Sequence, residues 1–395
     1  MFELNGKYTK ATIFADTVDN EAISQILEMC NEEFAKDSKM VIMPDVHAGK
    51  GCTIGTTMTI TDKVVPNLVG VDIGCGVFCV KLQEKEIDFE LLDNTIRKYV
   101  PSGMDIREKE HHFVSRVEFD KLRCKSSVNM VKAKKSLGSL GGGNHFIEVA
   151  KDEEGYLYLV IHSGSRGFGV QVASYYQKLA IKTLSSNNSE KEEIIARLKA
   201  EGREKEIQGI LKNIPKKKIN KQLAYLEGKN YLDYLNDLDV VQKYSTENRK
   251  AIAETIITKM NLTEIDSFTT IHNYVDLDRN ILRKGAISAL KDEKVIIPIN
   301  MRDGSIIAVG KGNPDWNYSA PHGAGRVFSR GKAKELLSMD EFKETMCNVW
   351  STSVCESTLD ESPMAYKDVN EILGNIKDTV DVVGMIRPVY NFKAN

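Results

Sequence analysis

Five of the chain's seven histidines fall in short motifs rich in Gly and Asn, and these motifs surround one Asp–Cys pair. In order they read Pro44-Asp-Val-His47-Ala-Gly49, Val71-Asp72-Ile-Gly-Cys75-Gly76, Gly141-Gly-Gly-Asn144-His145, Ile161-His162-Ser-Gly-Ser-Arg166, Ile271-His272-Asn273 and Ala320-Pro-His322-Gly-Ala-Gly-Arg326. Gly and Asn suit backbone that must turn sharply or approach a ligand closely. A carboxylate, a thiol and several imidazoles form the usual ligand set of a first-row transition metal. The pattern is that of a metalloenzyme with a nucleotide in its site.

Two passages share one design. The apolar run Leu157–Ile161 ends at His162, and Ser267–Ile271 ends at His272. A strand that delivers a polar residue to its mouth builds a site on a rigid scaffold. Strands are also expected at Ala11–Phe14, Met40–Met43 and Val77–Leu82, with an amphipathic helix from about Asn20 to Phe34. Val295–Ile299 and Ser305–Val309 read as a hairpin around Arg302-Asp303-Gly304. Between the two His-bearing runs, residues from about 170 to 262 look helical and charged, a helical insertion or lobe. Within it Ser185–Ser189 reads as a loop, and Ser189-Glu-Lys-Glu192 has the form of a capping box. A helical tail is expected from about Arg330 to Trp350, and a further helix over Asp368–Lys377.

Composition narrows the class. The 395 residues carry a net charge of −2, so nucleic acid could bind only through a local basic surface. Two lysine clusters offer one, Val131–Lys135 and Pro215–Lys218 with Lys221, although each alone reads as a solvated helix face. No run approaches the roughly 20 apolar residues of a membrane span, and no secretory signal is visible. Seven scattered cysteines argue for reduced thiols in a cytoplasmic setting.

Asp72-Ile-Gly-Cys75 sets a hard oxygen and a soft sulfur three residues apart on a turn. A thiolate can bridge two metal ions, and a neighbouring carboxylate suits Mn, Fe or Zn. Taken alone the pair also reads as a buried Cys in a Gly turn. Cys75 and Cys79 lack the second Cys pair of a structural zinc site. His145, His162 and His272 stand at loop edges, where three together point to ligands. His322 is followed by small residues, which leave its ring reachable and put N–H groups within reach of phosphate oxygens. A neutral imidazole is a competent nucleophile toward phosphorus, with Arg166 and Arg326 as candidate phosphate ligands. His111 and His112 read as a solvated helix face.

These motifs, in this order, closely resemble the RtcB family of RNA-splicing ligases. The matching segments are Met43–Gly51, Gly70–Gly76, Gly141–Glu148, Ile161–Gly167, Arg283–Ala286 and His322–Arg330. The resemblance implies a single α+β catalytic domain over residues 1–395. It implies two Mn²⁺ ions, with Cys75 bridging them, Asp72 and His145 completing one site, and His162 with His272 completing the other. It further implies that His322 attacks the α-phosphate of GTP. The guanylate would pass to an RNA 3′-phosphate (or the end derived from a 2′,3′-cyclic phosphate), and a 5′-hydroxyl would then displace GMP. Nucleotide contacts carried over by motif are Asn144, His145, Phe146, Ile147, Glu148, His272 and Asn273. The set continues with Pro298, Ile299, Asn300, Met301, Ser305, His322, Gly323, Ala324, Gly325 and the near-terminal Lys393. An archease-type activator is a further implied partner, in RNA repair or tRNA splicing.

The sequence departs from the family pattern at Pro298-Ile-Asn-Met-Arg-Asp-Gly-Ser305, where relatives commonly read Pro-Gly-Ser-Met-Gly-Thr-Ala-Ser. Asn300 replaces a small hydroxyl residue, Arg302-Asp303 adds charge, and Asp315 places a carboxylate shortly before His322. Two other readings stand beside ligation. One is a metal-dependent phosphodiesterase or phosphatase using water; the other is a guanylate- or RNA-end-binding factor without turnover.

Overall fold

The structure is a computed structural model that describes residues 1–49, 51–186, 188–213 and 218–394. It is α+β, built on two larger sheets and a long helix. The first sheet has six strands, in spatial order Phe2–Asn5, Lys10–Ile13, Met40–His47, Ile54–Thr59, Ile281–Lys284 and Asn273–Asp276. The second has seven, in the order Glu264–Ile271, Gly76–Leu82, Leu157–Ser163, Phe146–Lys151, Val380–Phe392, Gly304–Gly310 and Lys294–Asn300.

The register of the second sheet decides where the chemistry sits. Gly76 pairs with both Ile271 and Ser163, and Phe146 pairs with His162. The strands are antiparallel, so one begins where its neighbour ends. Cys75 and His145 therefore precede their strands, and His162 and His272 finish theirs, all at one end of the same sheet. Every strand in this part is apolar on its buried face, which prevents a one-residue slip from rotating the ligands out of the site.

The hairpin Lys294–Asn300 with Gly304–Gly310 forms as expected, as do the strands at 10–13, 40–47 and 76–82. The first helix, Asn20–Cys30, is capped by Asp19 and stops short of Phe34, which lies in a separate turn of 3-10 helix. The expected tail helix divides into Arg330–Leu336 and Met339–Thr345, because the Ser338 hydroxyl caps the second piece by accepting from Glu341 N–H at 3.2 Å. The helix expected at 368–377 runs over Val369–Asn375, with Asp368 as its cap. His111 corrects another expectation. It is 9% exposed, with its Nδ1 accepting from Phe113 N–H and its Nε2 3.4 Å from Glu254, and it opens a short 3-10 segment rather than lying on a wet helix face.

The block from about 170 to 262 is largely helical, ending in the helix Gly228–Met260. That helix is not peripheral. Leu238, Val241, Tyr244 and Ala251 are fully buried in the main apolar core, and Arg249 reaches the chain beneath Cys75. Its buried face, and not its charged composition, set its place. The side chains of Ser189–Glu192, residue 187 of the expected loop and residues 215–217 of the second lysine cluster lie outside the described residues. Among the described residues, no helix is long and apolar enough to cross a membrane. All seven cysteines are free thiols.

Candidate metal centre and nucleotide cavity

Four motifs meet around one sulfur. Cys75 Sγ lies 3.4 Å from His145 Nε2 and 3.3 Å from His162 Nε2. His162 Nε2 is 3.3 Å from His272 Nε2, and His145 Nε2 is 3.0 Å from Asp72 Oδ2. Two triads result, Asp72–Cys75–His145 and Cys75–His162–His272, with the donor atoms in each within 4.8 Å of one another. Cys75 is common to both. Cys79, four residues on, is buried in its strand and belongs to neither.

The electrostatics of these groups call for cations. Burial and the neighbouring Asp72 carboxylate push the Cys75 thiol well above its usual range, with Arg249 opposing. Burial raises Asp72, but the hydrogen bond and charge of His145 and the Ser165 N–H outweigh it and hold the carboxyl low. Burial, reinforced by neighbouring positive groups, drives His162 and His272 well below the normal imidazole value. His162 and His272, held neutral, thus turn lone pairs toward the Cys75 sulfur, which a bound metal would deprotonate. The residues fit a pair of transition-metal ions with N, O and S donors.

Supporting contacts orient the ligands. Asp72 Oδ1 accepts from Ser165 N–H at 2.9 Å and from its hydroxyl at 3.2 Å, and the Asn144 carbonyl lies 3.1 Å from His162 Nδ1. Such outer contacts fix ring orientation and tautomer. Gly164 is required by close approach, since a Cβ there would stand 2.2 Å from Asp72 Oδ1. Arg249, fully buried, donates from one terminal nitrogen to Gly74 O at 2.7 Å and Ser163 O at 2.9 Å. It brings a cation beneath the Asp72–Cys75 turn. Asn248, one residue earlier, accepts from the Gly138 and Ser139 N–H groups and donates to Gly164 O and the Ser163 hydroxyl.

His322 lies next to this centre, with its ring centroid 4.8 Å from that of His272. Its Nδ1 is 2.6 Å from Asp45 Oδ2, and its backbone N–H donates to the same oxygen at 3.2 Å. Asp45 is fully buried on the strand Met40–His47. Its contact through Nδ1 leaves Nε2 as the free ring nitrogen, the arrangement that orients a nucleophilic histidine. Gly325, at φ +77°, allows the loop to pass Asp45 closely, since a Cβ would stand 2.5 Å from Asp45 O.

A cavity of about 310 Å³ opens from the centre, lined by Asp72, Cys75, His162, His272 and His322. Asn144, Phe146, Glu148, Asn273, Pro298, Ile299, Asn300, Met301, Ser305, Gly323, Ala324, Gly325 and Lys393 line it too. Two residues assigned to nucleotide contact do not. Ile147 faces away, because strand alternation buries it against Ile161 and Phe392. His145 faces the opposite side of the metal centre and lines a second cavity.

The far end of the first cavity combines hydrogen-bonding groups of both signs. Asn391 donates to Glu148 Oε2 at 2.8 Å, and burial raises the Glu148 carboxyl to about 8 despite Asn391 and Lys393. Lys393 Nζ lies 3.0 Å from Glu361 and over the Phe146 ring at 5.4 Å. Glu361 in turn meets Arg330 and Tyr366. The guanidinium of Arg326 is engaged by Phe328 O, Asp360 O and the Tyr366 hydroxyl, so it serves the wall of the cavity.

The divergent loop is self-contained. Asn300 Oδ1 accepts from the N–H groups of Arg302 and Asp303, and Asp303 pairs with Arg302 through two contacts of 2.7 and 2.8 Å. Of the divergent segment, Arg302 and Asp303 stay out of the cavity while Asn300, Met301 and Gly304 line it, and Asp315 stays at the surface near Lys39. Sequence reading missed Asp45, Asn248, Arg249, Glu361 and Asn391 as participants. Asp45 alone had a local signal, its place in the Pro-Asp-Val-His47 motif.

Known proteins share this sequence over most of its length. The family model described as tRNA-splicing ligase RtcB matches residues 27–131 and 114–394. The RNA-splicing ligase RtcB of Escherichia coli (strain K12) is 31% identical over 419 residues, covering 94% of each chain. The tRNA-splicing ligases RtcB of Aeropyrum pernix and Nanoarchaeum equitans are 28% and 26% identical, covering 84% and 85% of this chain and 82% and 83% of their own. With matches spanning nearly the whole sequence and the motif residues gathered at one end of one sheet, this chain belongs to the RtcB family.

Proposed function

We propose that this chain is a GTP- and Mn²⁺-dependent RNA ligase acting in RNA repair or tRNA splicing. It joins 3′-phosphate or 2′,3′-cyclic phosphate ends to 5′-hydroxyl ends through a guanylylated histidine. The observation that carries this reading is the placement of His322, braced by Asp45, with its ring 4.8 Å from that of His272, a member of the Cys75–His162–His272 triad. A hydrolase can use an Asp-braced histidine as a general base toward water, so a covalent guanylate on His322 is what separates the two readings.

Asp72, Cys75 and His145 would hold one ion, and Cys75, His162 and His272 the other. Bound ions supply charge neutralisation as phosphates approach one another. The protein's own groups do the rest. Asp45 would accept a hydrogen bond from His322 Nδ1–H, leaving the Nε2 lone pair to attack the α-phosphorus of GTP as the bond to pyrophosphate breaks, pyrophosphate keeping the electron pair. The RNA 3′-phosphate then takes the guanylate from His322, converting a poor electrophile into one with GMP as leaving group. Glu148, Asn391 and Lys393 line the same cavity as His322 and offer hydrogen-bond donors and acceptors, which suits the edge of guanine.

Incubation with α-³²P-labelled GTP and Mn²⁺, comparing the parent chain with His322→Ala, tests the reading. Acid-labile label on the parent alone is expected. Label on His322→Ala, or none on metal-loaded parent, overturns it.

A further inference from the structure

The nucleotide cavity holds polar atoms that its own walls leave unanswered. Among the described residues, Asn391 Oδ1 and the Ser305 hydroxyl are buried without a hydrogen-bond partner, and both residues line this cavity. Each residue is only 1% exposed. A buried polar group left unpaired is costly, so such an atom favours a ligand that brings the complementary group. The two differ in what they can select. A hydroxyl turns to donate or to accept as required. The Asn391 carboxamide cannot, because its other end is held. Asn391 stands directly across the sheet from Glu148, in the antiparallel pairing of Val380–Phe392 with Phe146–Lys151, and its Nδ2 donates to Glu148 Oε2 at 2.8 Å. Oδ1 is thereby fixed as an acceptor beside a carboxyl group. Lys393 Nζ, 3.0 Å from Glu361 and 3.4 Å from Asn144 O, is positioned by the wall of the cavity.

The edges of the purines tell these groups apart. Guanine presents N1–H, an amino group at C2 with two hydrogens, and an acceptor at O6. A carboxylate that pairs with N1–H and one amino hydrogen has used both its oxygens, so the second amino hydrogen needs another acceptor. Hypoxanthine lacks the amino group altogether. Burial raises the Glu148 carboxyl, and donors from a base would favour its ionised form. On the ligase reading, on which this inference rests, the base that arrives is that of GTP. We propose that Asn391 Oδ1 accepts the second amino hydrogen of guanine while its Nδ2 keeps Glu148 facing N1–H, so that Asn391 sets a preference for guanine over hypoxanthine. A site built to pair with a group rejects the analogue that lacks it, because its own buried atom then stays unpaired.

The test reads affinity and not turnover. Full-length His322→Ala loaded with Mn²⁺, which lacks the nucleophile, is titrated with GTP, ITP and N²-methyl-GTP, with and without Asn391→Leu. GTP is expected to bind about tenfold more tightly than ITP. N²-methyl-GTP, which keeps one amino hydrogen, should lose most of that advantage. Asn391→Leu should bring the GTP and ITP constants within about threefold of each other. A role for Asn391 in the fold alone would weaken both nucleotides alike and leave their ratio as it was. Equal Mn²⁺ content shows that Asn391→Leu is folded, and the N²-methyl-GTP comparison stands without that variant. An unchanged GTP-to-ITP ratio in Asn391→Leu overturns the proposal, as does N²-methyl-GTP binding as tightly as GTP, or no binding of GTP. If the expected ratios are found but the parent chain takes no label from α-³²P GTP, the ligase reading fails and the assignment of Asn391 holds.

Discussion

Asp45→Asn is the sharpest test of how His322 is activated. Asp45 Oδ2 receives two contacts from one residue, His322 Nδ1 at 2.6 Å and His322 N–H at 3.2 Å, and the carboxylate has no access to water. The substitution keeps the shape and removes the charge. A hydrogen bond to an ionised group contributes about 1.5–3 kcal/mol, which corresponds to roughly a 10- to 150-fold loss of rate if it acts fully in the transition state. A larger loss follows if the amide nitrogen turns toward Nδ1. The ring would then carry its proton on Nε2, and the wrong tautomer can cost up to ~10⁴ in rate. The assay is single-turnover labelling with α-³²P GTP at saturating nucleotide, with bound metal measured on the same sample. The expected result is full metal content, a melting temperature near the parent's, and labelling slowed at least about tenfold. Labelling within about threefold of the parent would falsify the role of Asp45 in holding the tautomer.

Three other outcomes follow from the site. Cys75→Ala removes the sulfur common to both triads, so bound Mn²⁺ measured by mass spectrometry should fall at both sites; retention of one full equivalent would refute a shared ligand. Arg249→Met should leave Gly74 O and Ser163 O without their donor and cost about 2–5 kcal/mol in urea unfolding, and an unchanged midpoint would contradict that. Glu148 carries a pH signature. Its folded value of about 8 lies above its ordinary 4.5, so the unfolded chain releases the proton first and the fold loses stability as pH rises through that window. The loss should reach on the order of 3–5 kcal/mol at the upper end. Glu148→Gln should flatten the pH dependence, and parallel curves for parent and variant would rule out a buried neutral carboxyl.

Where a motif carries its own local chemistry, the sequence was legible. The apolar runs before His162 and His272 became strands delivering those side chains, and the turn around Arg302-Asp303-Gly304 became a hairpin. The C-terminal strand Val380–Phe392 was not read at all, since its first half is exposed and Pro388 argues against a central strand. A register shift between Pro388 and Tyr390 accommodates that proline. Likewise Ile147 sits inside a matching motif, yet alternation turns it into the core.

What the sequence determined by itself was the donor inventory: which carboxylate, thiol and imidazoles stand beside Gly turns at strand ends, and in what order. That information is local, written in two- to six-residue neighbourhoods. Tertiary structure decided how those donors divide into two triads around one sulfur, and which residues brace them. Asp45 lies 277 residues before His322, and Arg249 reaches Gly74 across 175. Antiparallel register brings Cys75, His145, His162 and His272 to one edge, and the buried face of the helix Gly228–Met260 brings in Arg249. Both depend on pairing and packing between distant segments, which leave no periodic trace in the chain.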